Sequence, residues 1–273
     1  MQVCQGDQTI GIAPLAVDGT TAYFLGNHEV CDYQDIIGLP DRQQEVLAAV
    51  VDHLQRQGVT RLDLRTLHPH AEVLDALKVL APEQTETALQ PDDVTFEMAL
   101  PDTWDGYLMQ LKSKQRHEVR RKIRRLEDNG SYSLRAITEI DGLDPAAAVF
   151  LDLFQRNRQD KAQFMTETMG AYFKDLMHAL AQQHMLCLCL LDVNQQPVAA
   201  VLCLDYRGVR YLYNSGYDAQ YDYLSVGVLS NVLCIKQAIE TGCRRYDFLK
   251  GSEVYKKRIG GTQVPLHRWV MEI

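Results

Sequence analysis

The side chains best able to move a proton or hold an anion gather between Tyr211 and Gly261. Asp247 lies in the apolar run Tyr246-Asp247-Phe248-Leu249, where removal from water raises a carboxylate toward the strength of a general base. Paired with Arg245 or Lys250, the same carboxylate would be structural. Glu253, just past Gly251, is a rival base or an exposed loop carboxylate. Tyr255 carries a phenol that can deliver a proton, or one that packs on a sheet with its hydroxyl at the surface. Lys256 and Lys257 can hold a phosphate or carboxylate, or stand as two solvated lysines. Tyr213 and Asn214, in mid-strand, can orient a reactant or serve only as core and ladder residues. A strand from Tyr211 to Tyr217 and a loop from Asp218 to Leu224 lead into a helix opening at Ser225-Val226-Gly227. The unpaired N–H groups and positive dipole end of such a helix start suit a pyrophosphate.

A second group is cationic. Lys112, Lys114, Arg116, Arg120, Arg121, Lys122, Arg124 and Arg125 crowd one stretch with a single acid, Glu118, in a chain whose net charge is -8. That balance argues against a general nucleic-acid binder, which needs surplus Lys and Arg. Val119, Ile123 and Leu126 form a narrow apolar seam at helical spacing, so the segment is expected to dock by that seam and turn a wide cationic face outward. Arg120, Arg121 and Arg124 are the expected contacts to an anionic ligand; a merely solvated face is the alternative.

The elements that must position these groups follow from pattern. Strands are expected at Thr9 to Ala16, Thr21 to Leu25, Thr60 to Leu64, Thr85 to Leu89, Val94 to Leu100 and Ser131 to Ile137. Three more, Met185 to Asp192, Pro197 to Asp205 and Arg210 to Tyr217, are spaced as an antiparallel meander. Arg245 to Leu249 and Leu266 to Met271 complete the set. Helices are expected from Asp41 to Gln57, Ala71 to Leu80, Asp144 to Arg158, Thr166 to Gln183 and Ser225 to Thr241, with Asp41 and Asp144 as caps. The fold class is α/β, with mixed, mostly antiparallel sheets flanked by helices. Gln57-Gly58-Val59-Thr60-Arg61-Leu62-Asp63 and Thr241-Gly242-Cys243-Arg244-Arg245-Tyr246-Asp247 share Gly, Arg and Asp in register, each after an apolar helix. That echo, and a length of 273 residues, point to two units.

Composition excludes several classes. With 46% apolar and 23% charged residues, 17 Gly and 9 Pro, the chain is neither disordered nor collagen-like. No apolar run reaches the roughly 18 residues of a membrane span, and no signal peptide is legible at Met1 to Asp7. Seven cysteines without a Cys-x-x-Cys pair read as reduced thiols of a cytoplasmic protein. Gly-x-Ser-x-Gly, the phosphate loop, Gly-x-Gly-x-x-Gly and His-Glu-x-x-His are all absent. His68 and His70 flank Pro69 without further ligands nearby, so no metal is expected.

Taken together, Tyr246-Asp247-Phe248-Leu249-Lys250-Gly251, Glu253, Tyr255-Lys256-Lys257 and Gly260-Gly261 behind a strand, loop and buried helix resemble the acetyltransferase domain of the GNAT superfamily. The likeness is to its BioF2-like or CelD-like branch, distantly related to the FemABX peptidyltransferases. The basic helix Ser113 to Glu127 resembles one those sequences carry in mid-chain. The resemblance spans roughly residues 110 to 265 and implies two GNAT-like units in tandem. A degenerate unit would cover residues 1–110, and an acyltransferase unit 111–273. It implies transfer of an acyl group from acyl-CoA, held at Ser225, Val226 and Gly227, to an amine of a small-molecule or peptide acceptor. In that chemistry Asp247 or Glu253 would take a proton from the amine and Tyr255 would protonate the leaving group. FemABX relatives use aminoacyl-tRNA as donor instead, so tRNA is the alternative partner. A non-catalytic module that grips an anion with its basic helix remains the third possibility, since fold does not fix function.

Overall fold

Turn chemistry sets the strand order of the meander. Asn194 and Gln195 (φ 49° and 65°) and Arg207 and Gly208 (φ 50° and 77°) each put two successive residues in the left-handed region. Such pairs make tight hairpin turns whose twist matches the strands they join. The computed structural model describes residues 1–27, 30–157 and 164–273. In chain order the elements are β1 (Gln2–Gln5), β2 (Gln8–Ile12), β3 (Leu15–Asp18), β4 (Thr21–Phe24), β5 (Ile37–Gly38), α1 (Gln43–Arg56), β6 (Arg61–Leu67), α2 (Glu72–Leu80), α3 (Thr85–Ala88) and β7 (Leu89–Ala99). There follow α4 (Trp104–Gln110), α5 (Ser113–Asp128), β8 (Tyr132–Ile137), α6 (Leu143–Asn157), α7 (Glu167–Gln182), β9 (Leu186–Val193), β10 (Gln196–Tyr206), β11 (Val209–Tyr217), α8 (Val226–Glu240), β12 (Arg245–Lys250), α9 (Val254–Arg258) and β13 (Thr262–Glu272).

Two compact units result, a different partition from a single cut after residue 110. The first comprises residues 1–95, 250–252 and 263–273, the second residues 96–249 and 253–262. In the first, strands run in the order β3-β4-β6-β13-β7 beside a small β1-β2-β5 sheet. Its core joins Val46, Leu47, Val50 and Leu54 of α1 to Leu62 and Leu64 of β6, Val73, Leu74 and Leu77 of α2, and Trp269 of β13. In the second, the order is β7-β12-β11-β10-β9-β8. Helices α6 and α7 cover one face with Phe150, Phe154 and Phe173. Helices α5 and α8 cover part of the other with Leu126, Val226 and Leu229. With both faces covered, every residue of β9 is buried, including Asp192, whose carboxylate is held by Arg135.

The echo is a structural repeat. In each unit an antiparallel hairpin leads into a helix, a left-handed glycine ends it (Gly58, φ 80°; Gly242, φ 82°), and the next strand returns parallel to the second strand of the hairpin. The bonding matches atom for atom. Thr60 and Arg61 both donate to the Thr20 carbonyl, and Arg244 and Arg245 both donate to that of Gly208. Each aspartate ends opposite a tyrosine, Tyr23↔Asp63 and Tyr211↔Asp247.

Several local expectations change. Pro14 divides the expected Thr9 to Ala16 strand into β2 and β3, and Thr85 to Ala88 is a helical turn rather than a strand. Asp41 sits at φ 63° ahead of the α1 N-cap Arg42, so it does not cap. Asp144 lies inside the first turn of α6, and its carboxylate meets His178 at 2.8 Å. The expected end of that helix at Arg158 lies outside the described residues. Thr166 does cap, accepting from Met169 N–H at 3.2 Å.

Candidate active site

The site is built on the parallel pair β11 and β12. Their register holds for three residues, Val209↔Arg245 to Tyr211↔Asp247, and then stops, although β11 continues to Tyr217 and β12 to Lys250. Asp247 therefore stands where the two strands part. It is 1% exposed and takes the Leu249 backbone N–H at 2.8 Å. Arg245, one of its two expected structural partners, meets Glu97 at 3.5 Å and also feels the charge of Asp247. Opposite, β11 bulges against Leu202 and Cys203, so that Leu202 faces Asn214 and Cys203 faces Leu212. An extra residue at that point turns both Tyr213 and Asn214 toward the face covered by α6 and α7. Tyr213 packs there against Phe173, with its hydroxyl 3.3 Å from that of Tyr172. Asn214 folds back on the Ser215 N–H at 2.9 Å. At Gly216 a Cβ would stand 2.5 Å from the Phe154 backbone, so only glycine lets α6 lie this close to β11.

Beyond Tyr217 a turn of 3-10 helix (Ala219–Leu224) leads to Ser225, at φ 59° the N-cap of α8. Ser225 makes no side-chain cap bond to its own helix. Its Oγ accepts instead from the Lys122 ammonium at 2.9 Å, while Arg125 donates to the Tyr223 carbonyl at 2.5 Å. The basic helix α5 is thus pinned beside the start of α8, with Ile123 and Leu126 packed among Leu224, Val226 and Leu229. Gly227 has a packing reason of its own, since a Cβ there would sit 2.7 Å from the Tyr217 ring.

The three expected cationic contacts, Arg120, Arg121 and Arg124, are all exposed, and other cations of α5 are the ones that reach α8. Arg121 is exposed and holds both oxygens of Glu118. Arg120 and Arg124 are exposed on the side of α5 turned away from Lys122 and Arg125, because residues two apart on a helix diverge. Lys122 and Arg125, three residues apart on one side, reach the helix start. Seam spacing marks the buried face but not which flank meets α8, a non-local fact. Lys256 is also corrected. Only 3% exposed, it donates to the Leu249 carbonyl at 3.1 Å and meets Glu253 at 2.9 Å, so it is neither solvated nor presented to a phosphate. Lys257 is exposed. Glu253 is the N-cap residue of α9, its carboxylate half-exposed and tied to Lys256. Burial, with a smaller push from Glu253, raises the Tyr255 phenol well above its ordinary value, so it stays protonated at neutral pH. Among the described residues no group of His, Cys, Asp and Glu could hold a metal ion, and no helix is long and apolar enough to cross a membrane.

A profile described as an acetyltransferase (GNAT) domain matches residues 113–257, just over half of the chain. The chain belongs to the GNAT acetyltransferase family. The matched GNAT region begins at the first residue of α5 and ends within α9, so it contains every site element described above. Solved structures extend the likeness over nearly the whole chain. FemX shares 12% identity over 99% of this chain and 87% of its own, with a TM-score of 0.63. L-PGS from Bacillus licheniformis shares 10% over 93% and 79%, with a TM-score of 0.60. A conserved protein of unknown function from Bacteroides thetaiotaomicron shares 13% over 96% and 84%, with a TM-score of 0.65. At such identities the likeness establishes the fold, a distant FemX-like form of the GNAT architecture. No curated protein matches the chain significantly.

Proposed function

We propose that this GNAT protein is an acyl-CoA-dependent N-acyltransferase of the BioF2-like or CelD-like kind, acting on an amine of a small-molecule or peptide acceptor. The observation that carries the proposal is the parting of β11 and β12 at Tyr211↔Asp247, with a helix start on which Lys122 is fixed packed at Tyr217, the far end of β11. In this reading the diphosphate of the donor rests on the first N–H groups of α8, around Ser225, Val226 and Gly227, with Lys122 and Arg125 beside it. The acyl thioester lies along β11. Asp247 takes a proton from the acceptor amine, whose nitrogen forms a bond to the thioester carbonyl carbon. As the tetrahedral intermediate collapses, the C–S bond breaks and Tyr255 gives its proton to the departing thiolate. The seven free cysteines suit a reducing cytoplasm.

A ligand of the native state raises its melting temperature, so thermal shift against acyl-CoAs, with turnover on amine acceptors, tests the proposal. Absence of any shift with CoA or acyl-CoA would defeat it. One observation favours a second reading. Arg120 and Arg124 stand exposed on α5, and the fold is shared with FemX, so an aminoacyl-tRNA donor would find cations outside the CoA-sized site. A tRNA contact shows a steep fall of affinity with salt, because many counterions are released; a CoA contact shows a shallow one.

A further inference from the structure

Strands β9 and β10 turn three cysteines toward α8. Leu188 and Leu190 pack with α6 and α7, so Cys187 and Cys189, at the alternate positions of β9, face the other way. Cys203 of β10 is the register partner of Cys187. Helix α8 lays Cys234 over them, its sulfur 3.6 Å from Cys203 Sγ and 3.7 Å from Cys189 Sγ, while Cys187 and Cys189 stand 3.6 Å apart. All four are free thiols without exposure.

A charge is buried with them. Arg210 is 1% exposed, and a guanidinium out of water is costly unless its donors are met. Asp205 takes part of it, at 2.6 Å. Its Nη1 reaches the Gln237 side-chain oxygen, the Cys234 carbonyl at 3.3 Å and the Cys234 sulfur at 3.9 Å. Hydrogen bonds from the Cys189 and Cys203 thiols, joined by the charge of Arg210, hold the Cys234 thiol well below its ordinary value against the opposing effect of burial, whereas burial pushes Cys203 up. Cys234 therefore ionises before Cys203, and the thiolate is the reactive form. Nor is the cluster sealed in hydrocarbon. Asp205 and Gln237 are each partly exposed, so a polar file through Asp205, Arg210 and Gln237 leads from the surface to the sulfurs.

From this geometry we infer that Cys234 and Cys203 form a modification site for a hydroperoxide, which joins them in a disulfide. The Cys234 thiolate attacks one peroxide oxygen, the O–O bond breaks, and the departing hydroxide takes up a proton as water, leaving a sulfenic acid. The Cys203 sulfur then attacks the sulfenic sulfur, the S–O bond breaks, and a second water leaves with the Cys203 proton. Two thiols and one hydrogen peroxide become one disulfide and two waters. The sulfurs close from 3.6 Å to about 2 Å, which ties the middle of α8 to β10.

The test exposes the native protein to hydrogen peroxide, stops the reaction with catalase, blocks remaining thiols with N-ethylmaleimide in denaturant and maps linked peptides by mass spectrometry. The expected product is a Cys203–Cys234 linkage, two hydrogens lighter than the reduced peptides and removed by dithiothreitol. In Cys203→Ser the linkage should vanish, and dimedone added with the denaturant should label Cys234 as the sulfenic acid. Cys203→Ala provides the same reading should the serine variant not fold. Oxidation confined to Cys4 and Cys31, which are exposed and half-exposed, overturns the inference. So does a linkage that forms only when peroxide is added in denaturant, or one that joins Cys234 to Cys189 in place of Cys203.

Discussion

Lys122→Met is the most informative single substitution, because it removes one charge and keeps most of the side-chain stem. The Lys122 side chain is 18% exposed, with its ammonium 2.9 Å from Ser225 Oγ and 3.6 Å from Glu118. A phosphate oxygen about 4 Å from that ammonium gains at most about 4 kcal/mol at an effective dielectric of about 20. Glu118 already satisfies part of the charge, and water reaches the site, so about 1–2 kcal/mol is the expected net loss, or roughly 5- to 30-fold in CoA affinity. Arg124, exposed on the other flank, has the worth of a surface charge, and Arg124→Met should cost CoA binding about threefold or less. The assay is calorimetric titration with CoA at low and physiological ionic strength, with melting temperature as control. The Lys122 defect should shrink as salt rises, since the wild-type contact is the one being screened. Equal losses in the two variants, or none in Lys122→Met, would refute the placement of the diphosphate beside α5.

Three further outcomes follow from the geometry. Asp247→Asn should lower acyl transfer on the order of 100-fold or more, as loss of a general base does. Asp63→Asn, which breaks a partly buried pair with Arg268 in the first unit, should leave turnover unchanged and cost about 1–2 kcal/mol of stability; comparable turnover in both variants removes Asp247 from the chemistry. Gly58→Ala and Gly242→Ala should each cost about 1 kcal/mol by denaturant titration, because both glycines sit at positive φ with open space around them. Gly216→Ala should cost more, about 1–3 kcal/mol, because its methyl meets the Phe154 backbone. For pH, burial lowers the His267 imidazole below its ordinary value, with Lys78 and His68 adding repulsion. The neutral form is favoured in the fold, so this contribution is present above about pH 6.5 and is lost as pH falls through the depressed folded value. Denaturation profiles at falling pH should be flatter in His267→Gln, and parallel profiles would count against the assignment.

Much of the fold was legible because it is local. The buried helix and each copy of the Gly-ended motif are written in runs of fewer than twenty residues, the meander in three successive short strands with turn signals between them, and three matching positions were enough to mark the repeat. What stayed hidden was long-range pairing. Nothing in the neighbourhood of Tyr23 or Tyr211 announces that each faces the aspartate of a strand some forty residues on. Nor does the chain around Arg120 to Arg125 say which cations will meet α8. Arg210 and Lys256 were illegible for another reason, since both carry groups that sequence alone reads as surface. Their burial is set by partners at Asp205, Leu249 and Glu253. The burial of Asp247 was legible because an acid in an apolar run is anomalous wherever it occurs.

Strand β13 bears on how such a chain is made. Its residues 263–273 complete the first unit, where Trp269, with no exposure, stands opposite Leu64 of β6. A ribosome has therefore delivered all of the second unit before β6 meets the strand that covers its open edge. Multidomain chains commonly fold from the N-terminus as they emerge, and here that order is unavailable to the N-terminal unit. Until β13 arrives, β6 presents unpaired backbone and an apolar face, which is a template for mispairing. The second unit, nearly continuous in sequence, can close first and would then carry an unfinished partner through the last stage of synthesis.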